Sequence, residues 1–233
     1  MSDDDLPTLV LDEAAKDYGD GRGLYPTDLT LDPGQLVVLA GANGAGKSTL
    51  LGLCAGLIEP TWGTITVAGH PIDSIGARRA TTYIPDNPVL YDDLTVREHL
   101  EFISGLHRLD DEDDDWEARG DDLLATFNLT ERADDLPTRL SRGLRQKASL
   151  VVGLIRPFEI LLIDEPFVGL DPPAQEALAD VLAGLAAAGR TVLASTHQLG
   201  FVDRADRCVG LRDGEVVLDG PADVAKVRAL LDG

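Results

Sequence analysis

The sequence of 233 residues has few basic side chains: 4 Lys and 16 Arg stand against 41 Asp and Glu, so the formal net charge at pH 7 is −21. A surface this acidic repels a phosphate backbone, which excludes a nucleic-acid binder that relies on general electrostatics. Attachment to an anionic lipid surface by charge alone is disfavoured for the same reason. We therefore expect no nucleic-acid partner.

Cysteine and long apolar runs are also scarce. The two cysteines, Cys54 and Cys208, have no metal-ligand or C-x-x-C spacing and lie in apolar stretches, which predicts structural thiols rather than a disulfide. No uninterrupted apolar run approaches the roughly 18 to 20 residues of a membrane span, and residues 1–5 are acidic where a signal peptide is basic. These absences predict a soluble, cytoplasmic protein whose membrane role, if it has one, depends on a partner.

The excess of acid has two interpretations. Like charges keep a surface hydrated and keep copies of a protein apart, which is an ordinary solubility device. Adaptation to high salt is the alternative, because screening confines charge repulsion to roughly 3 Å at about 1 M salt. The 30 Asp against 11 Glu, together with the scarcity of Lys, favour this halophilic interpretation, since short carboxylates hydrate strongly and expose little apolar stem.

Short apolar runs alternate with longer helical patterns, which predicts an α/β fold with a mostly parallel central sheet. The runs at 36–40, 160–163 and 191–195 show no polar alternation, as expected for strands covered on both faces. Helices are predicted at 47–55, after the glycines that follow the first run, and at 173–188, between the other two runs.

Two other regions differ from this pattern. Residues 8–31 and 63–84 have the character of short strands with turns and predict an antiparallel β flank. Residues 94–140 are polar and helical, and Thr95 predicts a helix N-cap. They contain the acidic run 110–115, which lacks the spacing and the central glycine of a calcium loop, so a solvated turn between helices is favoured over a calcium site.

Residues 41–48 read G-A-N-G-A-G-K-S and match the phosphate-loop pattern G-x-x-x-x-G-K-[ST] between a predicted strand and a predicted helix. The glycines let the backbone wrap closely, so that its N–H groups and the helix N-terminus face phosphate oxygens. Lys47 is expected to reach the β- and γ-phosphates, Ser48 to hold Mg²⁺ and Thr49 to donate to the α-phosphate. The loop predicts a nucleoside triphosphate site made of Asn43, Gly44, Ala45, Gly46, Lys47, Ser48 and Thr49.

The run at 160–163 delivers Asp164 and Glu165 to the carboxyl edge of the predicted sheet, where α/β folds bind ligands. Asp164 is expected to hold Mg²⁺, and Glu165 to be the general base that polarises the attacking water. Such a pair alone is also an ordinary end of a strand, and the phosphate loop favours the catalytic interpretation. His197 follows the next strand and is expected to contact the γ-phosphate and to orient Glu165. Lys47, Glu165 and His197 together form the predicted catalytic set.

These residues, in this order, resemble the ATP-binding cassette (ABC) family, specifically the nucleotide-binding subunit of ABC transporters, over nearly the whole chain. A signature motif between the phosphate loop and the acidic strand end singles this family out among nucleotide-binding proteins. The matches are the adenine-stacking aromatic residue Tyr18, the Walker A loop at 41–49, the signature at 140–144, Walker B at Asp164 and Glu165, the D-loop at 169–171 with Asp171, and the switch histidine His197.

The resemblance implies the ABC ATPase fold, an α/β fold that combines a P-loop NTPase core and its mostly parallel sheet with an antiparallel β flank and an inserted helical subdomain. It implies a single domain over 1–233. Within it, 1–93 and 146–233 are expected to form the nucleotide-binding core with the β flank, and 94–145 the helical subdomain with the signature motif.

The resemblance also implies an ATPase that binds ATP with Mg²⁺ and couples its hydrolysis to transmembrane transport. Ser141, Arg142 and Gly143 would face the ATP bound by an opposite protomer, so that a homodimer, or a pair with a homologous subunit, closes around two ATP molecules. Ser141 by itself is also an ordinary helix N-cap. An integral membrane permease would be the partner, with this subunit peripheral on the inner face of the cell membrane.

Two departures from the family pattern concern the expected site. The Q-loop glutamine falls at Asp86, whose shorter, anionic side chain offers Mg²⁺ an oxygen but cannot donate as an amide does. In the signature, Arg142 and Leu144 replace a glycine and a glutamine, whereas Ser141 and Gly143 remain. Asp86 motivates one alternative, a regulatory ABC subunit that binds ATP with little turnover. A soluble ABC ATPase without a transport role is the other.

Overall fold

The structure is a computed structural model whose described residues fall in four ranges. These ranges are 6–19, 21–107, 109 and 115–232. The acidic start and residues 110–114 of the acidic run lie outside them, so the interpretation of that run as a solvated turn or a calcium loop stays a prediction.

The described residues divide into two compact units. The first unit takes its residues from 1–83, 158–165 and 179–233, and the second from 84–157 and 166–178. The domain boundaries expected at 94 and 145 remain a prediction.

The strands of the described chain are β1 (Leu9–Gly19), β2 (Arg22–Leu31), β3 (Leu36–Ala40), β4 (Trp62–Val67), β5 (His70–Pro71), β6 (Thr81–Ile84), β7 (Ile160–Asp164), β8 (Thr191–Ser195), β9 (Arg207–Arg212) and β10 (Glu215–Pro221). Among these residues they form a six-stranded sheet in the order β10-β9-β3-β8-β7-β6 and a four-stranded sheet in the order β2-β1-β4-β5.

The helices of the described chain are α1 (Lys47–Cys54), α2 (Ile75–Ala80), α3 (Val96–His107), α4 (Trp116–Thr126), α5 (Arg142–Leu154), α6 (Pro172–Ala187), α7 (Leu199–Val202) and α8 (Val224–Asp232), with 3₁₀ turns at Thr130–Arg132 and Pro137–Arg139. The two helices predicted from the apolar pattern correspond to α1 and α6. Within the described ranges, each helix is too short or too polar to cross a membrane.

The predicted parallel sheet is confirmed. β3 pairs in parallel with β8 and β9, and β7 pairs in parallel with β8. Every residue of β3, β7 and β8 is buried, because these apolar runs are covered on both faces. The carboxyl ends of the three strands therefore lie at one edge of the sheet, where Asp164 is the register partner of Ser195.

The antiparallel flank is confirmed for 8–31 and for the first part of 63–84, since β1 pairs antiparallel with both β2 and β4. The prediction is wrong for the last part of 63–84. There, β6 joins the six-stranded sheet beside β7, and α2 intervenes between the flank and this strand. Three of the four β6 residues are buried, which matches an inner sheet rather than a half-exposed flank.

The predicted N-cap at Thr95 is confirmed by a reciprocal pair of hydrogen bonds. The Glu98 N–H donates to Thr95 Oγ1 over 3.2 Å, and the Thr95 N–H donates to Glu98 Oε2 over 2.7 Å. This capping box satisfies two donors at the start of α3. The bonds to Thr95 lower the pKa of the Glu98 carboxyl, because they stabilise its charged form.

The two cysteines are free and buried, as the spacing predicted. Burial raises the pKa of the Cys54 thiol to about 12 and that of the Cys208 thiol to about 11, since the charged thiolate is poorly solvated in the core. Both are therefore structural residues that pack as small apolar side chains.

Candidate functional site

The phosphate loop connects β3 to α1 in the first unit, as its pattern predicted. Gly46 precedes the helix with φ at 107°, a left-handed conformation that side chains with a Cβ rarely adopt. At Gly41, a Cβ would lie 2.5 Å from the Leu211 carbonyl oxygen, so the loop passes too close to β9 for a larger residue. The two glycines are thus required by backbone geometry, independently of any ligand.

The predicted nucleotide-binding residues of the loop differ in accessibility. Asn43, Gly44 and Ser48 are exposed, and Thr49 is half-buried. Ala45 is buried in the apolar core of this unit, and its N–H donates to the Ala42 carbonyl oxygen over 3.1 Å. Its side chain therefore packs into the core and holds the loop against it.

Lys47 is buried, and its ammonium is held inside the loop. Nζ donates to the carbonyl oxygens of Gly41 over 2.8 Å and of Ala42 over 3.3 Å. The same nitrogen lies 3.8 Å from Oε1 of Glu165. A positive charge is thus placed between the phosphate loop and the acidic end of β7.

Asp164 ends β7 and is buried. Its Oδ2 accepts a hydrogen bond of 2.7 Å from Ser48 Oγ, and its Oδ1 accepts one from Ser195 Oγ. The carboxylate and the hydroxyl of Ser48 are hard oxygen donors of the kind that Mg²⁺ prefers. Within the described ranges no group of three or more His, Cys, Asp or Glu residues could hold a metal. The two oxygen donors of Ser48 and Asp164 fit Mg²⁺, an ion that usually keeps several waters and takes further ligands from substrate phosphates.

Glu165 follows with φ at 44°, an uncommon conformation for a residue with a side chain. Its N–H donates to both the carbonyl oxygen and the Oγ of Ser195, over 3.1 Å and 2.9 Å. This turn places Glu165 Oε2 2.9 Å from Nδ1 of His197. The structure therefore brings together Lys47, Glu165 and His197, the three residues predicted to be catalytic.

Tyr18 lies near the end of β1 and is 55% exposed. Lys16 Nζ is 5.6 Å from the centre of its ring, within the range of a cation–π contact. The ring is therefore accessible at the surface, and its stacking on adenine stays a prediction.

The signature residues lie at the start of α5 in the second unit. Ser141 is the N-cap, with its Oγ accepting the Leu144 N–H over 3.3 Å. Ser141 and Arg142 are exposed, and Gly143 is half-buried. A Cβ at Gly143 would lie 2.8 Å from the Gly169 carbonyl oxygen, so the signature helix packs directly on the D-loop.

Asp171 connects the D-loop to the same helix. Its Oδ2 forms an ion pair of 2.8 Å with the ammonium of the buried Lys147, and its Oδ1 accepts the Ala174 N–H over 3.0 Å. The hydrogen bond from Lys147, followed by that from Ala174, lowers the pKa of the Asp171 carboxyl. Asp86, the other acidic residue of this unit that is predicted to belong to the site, follows β6 and is half-buried.

A family model described as ABC transporter matches residues 24–168, a span that contains the phosphate loop, the signature motif and the acidic end of β7. The chain belongs to the ABC transporter family. One relative, the ABC-type transporter ATP-binding protein EcsA of Bacillus subtilis (strain 168), is 40% identical over 83% of this chain and 78% of its own length.

Solved structures of the family have the same fold. One, described as the ATP binding subunit of an ABC transporter, is 33% identical with a TM-score of 0.87 and covers 97% of this chain and 95% of that one. Another, the ATP-binding cassette MJ0796 in a dimeric post-hydrolysis state bound to ADP and Pi, is 26% identical with a TM-score of 0.80 and covers 92% and 99%. This ABC chain is an ATP-hydrolysing subunit that supplies energy to a transporter.

Two residues of this ABC subunit make contacts that the sequence patterns do not predict. The sequence pattern predicts Ser195 only as the end of a strand, yet its hydroxyl contacts both Asp164 and Glu165. Lys147 lies just beyond the signature motif and belongs to no predicted site, yet it binds Asp171. The signals in the sequence are a serine that ends a mostly apolar strand and a lysine in a chain with only 4 lysines.

Replacing Lys147 with Met in this ABC subunit is expected to raise the pKa of Asp171 toward its ordinary value, because the hydrogen bond from Lys147 is the largest cause of its lowering. The folded pKa is below the unfolded one, so the stability that Asp171 contributes exists above about pH 3.9 and is lost as pH falls through the folded pKa. That contribution is small, since the side chain is half exposed to screening solvent.

The measurement is an NMR pH titration of the Asp171 side-chain carboxyl carbon in the wild type and in Lys147→Met. Arg132→Met is the matched control, because it removes another cation of the same unit that pairs with a different residue, Asp135. The control should leave the Asp171 titration in place. An Asp171 pKa that does not move in Lys147→Met would contradict the assignment.

Proposed function

We propose that this subunit binds ATP with Mg²⁺ between two ABC subunits and, by hydrolysing it, drives an integral membrane permease from the inner face of the membrane. The proposal rests on one observation: the side chains of Lys47, Glu165 and His197 lie close together beside the phosphate loop. The separations are 3.8 Å from Lys47 to Glu165 and 2.9 Å from Glu165 to His197. A cation for phosphate, a base for water and a polar group beside that base are the parts that phosphoryl transfer requires.

Lys47 changes partners when ATP binds. Its present acceptors, the carbonyl oxygens of Gly41 and Ala42, are neutral. Phosphate oxygens are anionic, so they attract the ammonium as one full charge attracts another, more strongly than a neutral carbonyl oxygen does. The β- and γ-phosphates therefore draw the ammonium out of the loop, while backbone N–H groups of the loop and the start of α1 hold the phosphate oxygens. Tyr18 stacks on the adenine base.

Ser48 and Asp164 are the residues that would hold Mg²⁺. A bound Mg²⁺ would neutralise charge on the β- and γ-phosphate oxygens. The hydrogen bond from Ser48 Oγ to Asp164 Oδ2 already places the two oxygen donors 2.7 Å apart. Ser195 Oγ holds the other carboxylate oxygen, Oδ1, so that Oδ2 is the one presented toward the phosphate loop.

Glu165 accepts the proton of the attacking water. An ionised carboxylate only accepts hydrogen bonds, so His197 Nδ1 is the donor to Oε2 and the imidazole holds the orientation of the carboxylate. The other oxygen, Oε1, faces Lys47 and is the one placed on the side of the phosphate loop. Glu165 thereby acts as a general base, with His197 orienting it and contacting the γ-phosphate.

A second copy, or a homologous subunit, completes the site. Ser141, Arg142 and Gly143 would contact the ATP bound by the opposite protomer, through the exposed N-terminus of α5. The dimeric solved relative bound to ADP and Pi supports this arrangement. Packing of Gly143 on the D-loop then transmits closure at one ATP to the D-loop of the same subunit.

The permease is proposed to dock on the second unit. Val89, Tyr91, Phe102 and Leu106 are large apolar residues that are between 45% and 79% exposed. The rings of Tyr91 and Phe102 contact each other with centres 5.6 Å apart. Exposed apolar surface of this kind marks sites of protein association.

The test combines turnover with purification at high salt. We expect phosphate release from ATP by the purified subunit, dependent on Mg²⁺ and faster in molar KCl than in dilute buffer, because two acidic bodies must approach. A tagged subunit should copurify with an integral membrane permease from detergent-solubilised membranes. Tight ATP binding with negligible turnover would favour the regulatory alternative. Recovery of the tagged subunit without any membrane partner would favour the other alternative, a soluble ABC ATPase without a transport role. Turnover that is fastest at low salt would contradict the halophilic interpretation.

A further inference from the structure

Given the roles proposed above for Asp164 and Glu165, we propose that Ser195 is a positioning residue that fixes the orientation of both carboxylates through a single hydroxyl. Ser195 ends β8 and is completely buried. It is the register partner of Asp164 in the parallel pair of β7 and β8. Its side chain therefore lies where the metal-binding and the proton-accepting residues meet.

The hydroxyl contacts the two residues in different ways. Asp164 Oδ1 can only accept, so the Ser195 hydroxyl hydrogen is committed to that carboxylate. The lone pairs of Oγ remain, and one of them accepts the Glu165 N–H over 2.9 Å. A single side chain thus acts as donor to one site residue and as acceptor to the next.

Each of the two contacts of the Ser195 hydroxyl supports one feature of the local geometry. Glu165 has φ at 44°, a conformation that residues with a Cβ adopt rarely, and its N–H is held by the Oγ and the carbonyl oxygen of Ser195. This turn directs the Glu165 carboxylate toward Lys47 and His197. On Asp164, the bond to Oδ1 leaves Oδ2 for Ser48. Removing the hydroxyl takes the donor from Asp164 Oδ1 and leaves the Glu165 N–H with the Ser195 carbonyl oxygen alone, while both carboxylates stay in place.

The primary test is Ser195→Ala compared with Thr191→Val. Thr191 is the matched control, because it begins the same strand, is also completely buried, and has a hydroxyl that bonds to Thr8 and to the Asp32 carbonyl at the opposite edge of the sheet. We expect Ser195→Ala to lower kcat by about 10- to 100-fold, with KM for ATP within about two-fold. Thr191→Val should keep kcat within about two-fold, whatever its effect on thermal stability.

Two further variants separate positioning from a structural role. Ser195→Thr keeps the hydroxyl and is expected to restore kcat to within about three-fold of the wild type. Ser195→Cys keeps the volume but weakens both hydrogen bonds, so it should lose activity even if Ser195→Ala does not fold. A second readout is amide hydrogen exchange of Glu165 without nucleotide, which should speed up in Ser195→Cys and stay slow in Thr191→Val.

The double variant Ser195→Ala with Glu165→Gln distinguishes the two proposals. If Ser195 acts through Glu165, the double variant has the residual turnover of Glu165→Gln alone. Suppose that Glu165→Gln is inactive but Ser195→Ala has the same kcat as Thr191→Val. That result would overturn the role of Ser195 and leave the role of Glu165 intact. Full turnover in Glu165→Gln would instead overturn the proposed base, and with it the part of the Ser195 proposal that concerns Glu165.

Discussion

Replacing Glu165 with Gln is expected to lower kcat for ATP hydrolysis by about 10²- to 10⁴-fold, because a positioned general base contributes a factor of this size. Gln has the same shape, and its amide oxygen still accepts the hydrogen bond from His197 Nδ1. It cannot take a proton from water. Affinity for ATP should therefore be preserved, and the ATP-bound dimer should accumulate instead of turning over.

The measurement is steady-state phosphate release together with equilibrium binding of a fluorescent ATP analogue in molar KCl. Glu159→Gln is the matched control, because Glu159 stands directly before β7 and Glu165 directly after it. The Glu159 carboxylate forms an ion pair of 2.8 Å with Arg190. The control should keep kcat. Turnover by Glu165→Gln at the wild-type rate would show that the base is another group.

Replacing Lys47 with Met is expected to weaken ATP binding by about 10- to 150-fold, the equivalent of one hydrogen bond to a charged group at about 1.5 to 3 kcal/mol. Met fills nearly the same buried volume as the lysine stem, so the phosphate loop should keep its course. The fold should survive, because the two acceptors that Lys47 leaves are loop carbonyls and that of Ala42 also accepts the Ala45 N–H.

Isothermal titration of ATP into each variant gives the affinity, and Lys226→Met on the exposed side of α8 controls for the loss of one positive charge. The comparison is informative in a chain with a net charge of −21, where removal of any cation raises the general repulsion of a polyanion. Equal losses in the two variants would mean that Lys47 acts only through that general repulsion.

Much of the fold follows from local patterns. The apolar runs that became β3, β7 and β8 were recognisable because strands covered on both faces have no polar alternation. The phosphate loop and the capping box of Thr95 are also local, since each motif depends on residues only a few positions apart. Motif order also predicted Lys47, Glu165 and His197 as one catalytic set; the structure places them next to one another, and their catalytic roles stay a prediction.

The parts that could not be predicted are those that depend on register between distant strands. A four-residue strand such as β6 carries too little pattern to say which sheet it joins, and its neighbour β7 is far along the chain. The contact of Ser195 with Asp164 depends on a parallel register that composition does not encode. The pairing of Lys147 with Asp171 depends likewise on how α5 packs on the D-loop.

The buried state of Cys54 and Cys208 has a practical consequence for spectroscopy. With thiol pKa values of about 12 and 11, almost no thiolate exists near neutral pH, and maleimide or methanethiosulfonate reagents need the thiolate at an accessible surface. The unmodified sequence is therefore a ready background for site-directed labelling. One cysteine introduced at an exposed position would carry a spin label or a fluorophore by itself, so that subunit closure could be followed by interprobe distance without rebuilding the core.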